Sequence, residues 1–180
     1  MGDSITEEWG RLSPEFFQPV VFVNRGIGGQ TTPQMLLRFK QDVINLNPCI
    51  VFILAGTNDI AGNTGPSNID MITNNIYSMA ELAMTYNIKT VLSSILPVDK
   101  YPWSDQIKEV PETILTINKK LKSFSNQHDI IYIDYYSEMV GDNRGLKKEY
   151  TTDGVHLNKM GYDVMCEVVK KVLKKEGIAI

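Results

Sequence analysis

The chain has 180 residues, of which 43% are hydrophobic and 22% charged, with a formal net charge of −3. Such values fit one globular domain over residues 1–180, and they argue against a disordered polymer and against a basic nucleic-acid binder. The longest apolar stretch, Cys49 to Ala55, is far short of the roughly 20 residues that cross a bilayer, so no membrane span is expected.

Cys49 and Cys166 cannot build a disulfide framework and are expected to be buried small hydrophobes. With two histidines and no CxxC or HExxH spacing, the usual ligands of a zinc site are missing, and no metal is expected.

In chain order, the sequence opens Met1-Gly2-Asp3-Ser4 with no strand ahead of it, and Thr6, Glu7 and Glu8 suit the start of a helix just after Ser4. The economical reading is a chain trimmed at its front. That would leave the first strand missing and a secreted or periplasmic location open, although no leader peptide stands in the sequence itself. Val20 to Val23 reads as the next strand. Thr32 then caps a helix with Pro33 at its first position, carried by Met35, Leu36, Phe39, Val43 and Leu46 to an end near Asn47 and Pro48. Ile50 to Leu54, Thr90 to Leu96 and Ile130 to Asp134 are apolar nearly throughout, as strands covered on both faces are. Asn68 and Pro111 open two further amphipathic helices, and Asn158 caps the last, with Val164, Val168 and Leu173 facing inward. Lys170, Lys171, Lys174 and Lys175 are expected to form a solvated face at its negative end. Strands alternating with helices predict an α/β fold: three layers, α/β/α, around a central parallel sheet.

In such sheets ligands bind beyond the carboxyl ends of the strands. The residues that follow the strands here are Asn24 to Thr31, Ala55 to Asp59, Pro97 to Glu109, and Asp153 to His156. Taken singly, each has a plain structural reading. Ser4 is either a turn hydroxyl or a nucleophile, and Asn58-Asp59 is an ordinary turn pair or a polar site. Gly26, Gly28 and Gly29 make a tight turn or, with a poor fit to GxGxxG, a phosphate cradle. Asp153, three residues before His156 with a glycine between, is able to turn back towards the imidazole. His128 has no such partner and is expected at the surface or as a cap. Pro97 to Glu109 is long for a connection between strand and helix. Its Tyr101 and Trp103, with Trp9, offer a wall for an acyl chain or a platform for a sugar ring, or else simple core or rim packing.

Together the blocks Gly2-Asp3-Ser4-Ile5-Thr6, Asn24-Arg25-Gly26-Ile27-Gly28-Gly29-Gln30-Thr31, Gly56-Thr57-Asn58-Asp59 and Asp153-Gly154-Val155-His156-Leu157 resemble, in order, those of the GDSL esterases and lipases, also called SGNH hydrolases. The resemblance implies a flavodoxin-like fold and a Ser4–His156–Asp153 triad. It also implies an oxyanion hole made by the backbone N–H groups of Ser4 and Gly29 with the Asn58 amide, and no cofactor. The Gly-Ile-Gly-Gly and Gly-Thr-Asn-Asp versions look like the acetylhydrolase branch, so the expectation is a serine esterase removing short acyl groups, acetyl above all, from a carbohydrate or related alcohol. The alternatives are a lysophospholipase or thioesterase of the same family, a non-catalytic member that binds glycan or a partner protein, and a nucleotide-binding domain that uses the glycine loop.

Overall fold

Three runs of β-branched and aliphatic residues become the strands β1 (Ile50–Ile53), β2 (Lys89–Ser93) and β3 (Ile131–Ile133) in the computed structural model, which describes residues 1–18 and 22–178. All pair in parallel in the order β1-β2-β3, with Val51 opposite Thr90 and Leu92 opposite Tyr132. Side chains alternate across a strand, and the two faces feed two cores. Val51, Ile53 and Leu92 pack with Met35, Phe39, Ile72, Ile76, Ile117 and Leu121, which belong to helices α2 (Thr32–Asp42), α4 (Ile69–Thr85) and α5 (Val110–Gln127). On the opposite face Leu54, Val91, Ile131 and Ile133 pack with Ile5 from helix α1 (Ser4–Leu12) and with Tyr162, Met165 and Val169 from helix α7 (Lys159–Lys175). This is the expected three-layer α/β/α arrangement. Short helices α3 (Thr57–Ile60) and α6 (Tyr135–Met139) follow β1 and β3 directly.

The strand expected to be missing ahead of Ser4 is represented by a two-residue stub. Gly2 bridges in parallel to Leu54 on one side and Gly26 on the other. The Leu54 N–H donates to the Met1 carbonyl and the Ile27 N–H to the Gly2 carbonyl, each at 3.1 Å. Ser4 therefore follows backbone that is anchored on both edges.

Local signals set most helix starts. Asn68 accepts from the Met71 N–H at 2.9 Å and Asn158 from the Gly161 N–H at 3.1 Å, as helix caps do. At α2 the cap is Thr31 rather than Thr32, and the Gln34 side chain accepts from the Thr31 N–H at 3.0 Å. That helix ends at Asp42, where Val43 leaves the helical conformation with φ −128°, and a tight turn over Ile44–Leu46 follows, closed by Asn47 in a left-handed conformation with φ 48°. In α7 the inward stripe is Tyr162, Met165, Val169 and Leu173, so Val164 and Val168 are only partly covered. Cys166 is buried as expected, whereas Cys49 sits just before β1 and is exposed. Of the strand expected at Val20 to Val23, Val20 and Val21 lie outside the described residues, and Phe22 and Val23 are not in a strand.

Candidate active site

The carboxyl ends of the strands bring the polar blocks together. Asp3 is the cap of α1, its carboxylate accepting from the Ile5 N–H at 2.9 Å, so Ser4 becomes the first residue of the helix. Across 152 residues of sequence, Ser4 Oγ meets His156 Nε2 at 3.2 Å. On the far side of the ring, His156 Nδ1 lies 2.7 Å from Asp153 Oδ2. An ionised carboxylate only accepts, which assigns the ring proton to Nδ1 and leaves Nε2 to accept from the serine.

The Asp153-Gly154-Val155-His156 turn is locked by its own first residue. Asp153 Oδ1 accepts from the backbone N–H groups of Val155 at 2.9 Å and His156 at 2.7 Å, which frees Oδ2 for the ring. Thr151 closes the turn, accepting from the Gly154 N–H at 2.9 Å and donating to the His156 carbonyl at 2.6 Å. Burial pushes the Asp153 carboxyl up, but the bonds from the imidazole and from the two backbone N–H groups outweigh it and hold the group below its ordinary range. Asp153 and His156 keep 39% and 40% of their side chains exposed, so the pair faces solvent and is open to a ligand.

Asp3 behaves in the opposite way. Asp3 is buried against a small hollow lined by Ile5, Leu54, Ala55, Ile95 and Leu96. That burial raises its carboxyl to about 6 despite the Ile5 N–H and the nearby imidazole.

Gly29 and Asn58 flank the same region. An added Cβ at Gly28 would stand 3.9 Å from Ser4 Cβ, so the glycine loop runs beside the serine. Gly29 itself has φ +74°, and a Cβ there would meet nothing within 4 Å. The left-handed backbone conformation favours glycine at this position. Asn58 is buried in α3 and donates from Nδ2 to the Gln30 carbonyl at 3.0 Å, with one amide N–H left over. Among the described residues, neither the Ser4 N–H nor the Gly29 N–H meets an acceptor. The N–H groups of Ser4 and Gly29 and one N–H of Asn58 thus remain unengaged.

The aromatic candidates part company. Trp9 stacks on Phe16 and Tyr162 at 5.1 and 6.1 Å, and its indole N–H donates to Cys166 Sγ at 3.2 Å. The structure thus puts Trp9 in the packing between α1 and α7 and does not bring it to the Ser4–His156–Asp153 line. Tyr101 is buried, its hydroxyl 2.9 Å from Thr57 Oγ1, and it props Trp103 at 5.5 Å. Trp103 alone stands at the rim, 44% exposed, with its ring 5.9 Å from that of His156.

Several supporting residues carried no local sequence signal. Arg38, almost two turns into α2, donates to the carbonyls of Gly2 at 3.0 Å and Arg25 at 2.9 Å and to Gln30 Oε1 at 2.5 Å. Asp42 balances it at 2.6 Å and also pairs with Arg25. Glu7, one turn after Ser4, accepts from the Gly28 N–H at 2.9 Å and pins the glycine loop. Asn63 donates to Asn58 Oδ1 at 2.9 Å. Among the described residues no three potential metal ligands cluster, and no helix is long and apolar enough to cross a membrane.

A solved structure of a GDSL-like lipase from Bacteroides thetaiotaomicron VPI-5482 superposes with a TM-score of 0.94 at 46% identity, covering 98% of this chain and 86% of that one. The platelet-activating factor acetylhydrolase IB subunit alpha1 of Rattus norvegicus is 23% identical over 96% of this chain and 73% of its own length. The uncharacterized lipoprotein YqeF of Bacillus subtilis is 38% identical over 80 residues, a match taking in 42% of this chain and 32% of that protein. The model of the GDSL-like Lipase/Acylhydrolase family matches residues 1–164, and the chain belongs to that family.

Proposed function

We propose that this protein is a serine esterase that removes short acyl groups, acetyl in the first place, from a carbohydrate or related alcohol. The observation that carries the reading is the continuous line from Ser4 Oγ through the His156 ring to the Asp153 carboxylate, at 3.2 and 2.7 Å.

A serine hydroxyl is a weak nucleophile at neutral pH and needs a base within hydrogen-bond reach. Ser4 Oγ attacks the ester carbonyl carbon while its proton passes to His156 Nε2. Asp153 keeps the ring oriented and stabilises the imidazolium. The negative charge that forms on the carbonyl oxygen is met by the N–H groups of Ser4 and Gly29 and by the remaining N–H of Asn58. The N-terminal end of α1, which begins at Ser4, adds its positive dipole. The alcohol leaves with the proton from His156. Water then gives a proton to His156 and its oxygen to the acyl carbon, releasing the acid and restoring Ser4.

The acetyl preference is supported by the acetylhydrolase relative. The alcohol side rests on Trp103, an exposed ring beside His156, suited to stack on the apolar face of a sugar.

Hydrolysis of p-nitrophenyl acetate tests the reading. The Ser4→Ala and His156→Ala variants are each expected to lose about a thousandfold or more in kcat. Hydrolysis that survives both changes would reject this nucleophile and base. With butyrate and octanoate esters, kcat/KM is expected to fall as the acyl chain lengthens.

A further inference from the structure

We infer that Asn63 is a positioning residue for the oxyanion donor Asn58, and that Trp103 sets its orientation from the rim. This rests on the esterase reading above.

Side-chain amides are ambiguous by themselves, because oxygen and nitrogen can exchange places by a half-turn. Here the two ends of a hydrogen-bonded line remove the ambiguity. The Trp103 indole N–H, a donor only, gives to Asn63 Oδ1 at 3.2 Å. Asn63 must then present its NH2 on the other side, where it donates to Asn58 Oδ1 at 2.9 Å and to the Gly29 carbonyl at 3.4 Å. Asn58 in turn must present its NH2 to the Gln30 carbonyl, an acceptor only, at 3.0 Å. Only one orientation of both amides satisfies all of these bonds. It is also the orientation that leaves one Asn58 N–H without an acceptor and available to a ligand.

The line spans three separately folded pieces: the loop from Pro97 to Glu109, the turn after α3, and the glycine loop. Asn63 is itself fixed by backbone, its N–H donating to the Asn58 carbonyl at 3.0 Å. A correctly turned Asn58 is ready before the substrate arrives, which is the condition under which a donor lowers a barrier rather than merely binding. A ligand stacked on Trp103 presses on the same line that holds the donor.

The decisive variant is Asn63→Asp. It keeps the shape and still accepts from Trp103, but an ionised carboxylate cannot donate to Asn58 Oδ1 and instead attracts the Asn58 NH2. With p-nitrophenyl acetate, kcat is expected to fall about thirtyfold with KM within about twofold, the pattern of an interaction made in the transition state. In an Asn58→Ala background the same change is expected to cost less than about threefold, because nothing is left to orient. Trp103→Phe, which keeps a ring and removes only the indole N–H, is expected to lower kcat about threefold to tenfold, and it too should lose its effect when Asn58 is Ala. An unchanged kcat in Asn63→Asp, or a loss of equal size with and without Asn58, would overturn the proposal. So would full activity in Asn58→Ala. The esterase reading fails separately, through persistence of activity in Ser4→Ala.

Discussion

Asp3 is asked to do two things that favour opposite charge states. As the cap of α1 it accepts from the Ile5 N–H, which favours the carboxylate, while complete burial favours the neutral acid. Burial prevails and raises the group from 3.8 to about 6. An acid whose folded value lies above its unfolded one contributes stability that is present at low pH and is lost as pH rises through the folded value. Asn caps as well as Asp but cannot ionise. Asp3→Asn is therefore expected to gain on the parent as pH rises from 4 to 7, by about 3 kcal/mol at full ionisation. Thermal melts across that range measure it, and a constant difference in Tm would contradict it. The motif that contains Asp3 was plain in the sequence. Its burial was not, because the apolar hollow against it is built by residues near 54 and 95.

At the scale of elements, the approach of α1 to the glycine loop decides how the site is held. A Cβ on Gly26 would fall 2.1 Å from the Glu7 backbone nitrogen, and backbone in a helix cannot give way cheaply. At Gly29 a Cβ meets open space, and only the left-handed conformation resists substitution. Gly26→Ala is expected to cost about 3 kcal/mol or more, and Gly29→Ala roughly 1–2 kcal/mol. Urea denaturation ranks the two, and the reverse order would contradict the packing described. Capped helices were legible because a cap is a local bond: Asn68 and Asn158 stand where the sequence puts them. The cap expected at Thr32 falls instead to Thr31, whose N–H donates to Gln34 Oε1. Helices α3 and α6, of four and five residues, are too short to show a period.

For the whole molecule, the polar blocks were readable as one rim because a parallel sheet delivers every strand to the same edge. What stayed hidden depends on packing between distant segments. Trp9 looked available to a ligand, yet α7 supplies Tyr162 and Cys166 to cover it. Arg38 shows no pattern until Gly2 and Arg25 fold against it. The first and last helices are joined directly, the Tyr162 hydroxyl donating to the Ile5 carbonyl at 2.8 Å in the buried core. Tyr162→Phe keeps the ring and removes that bond. It is expected to lower stability by about 1–2 kcal/mol and to weaken the seating of α7, which limited proteolysis followed over time would report as faster cleavage near that helix.

The imidazole that Ser4 Oγ meets lies 152 positions further along. The two groups come together only when the segments that carry them have both docked on the sheet, and on the proposed esterase reading a cut that releases the segment bearing His156 leaves Ser4 without its base.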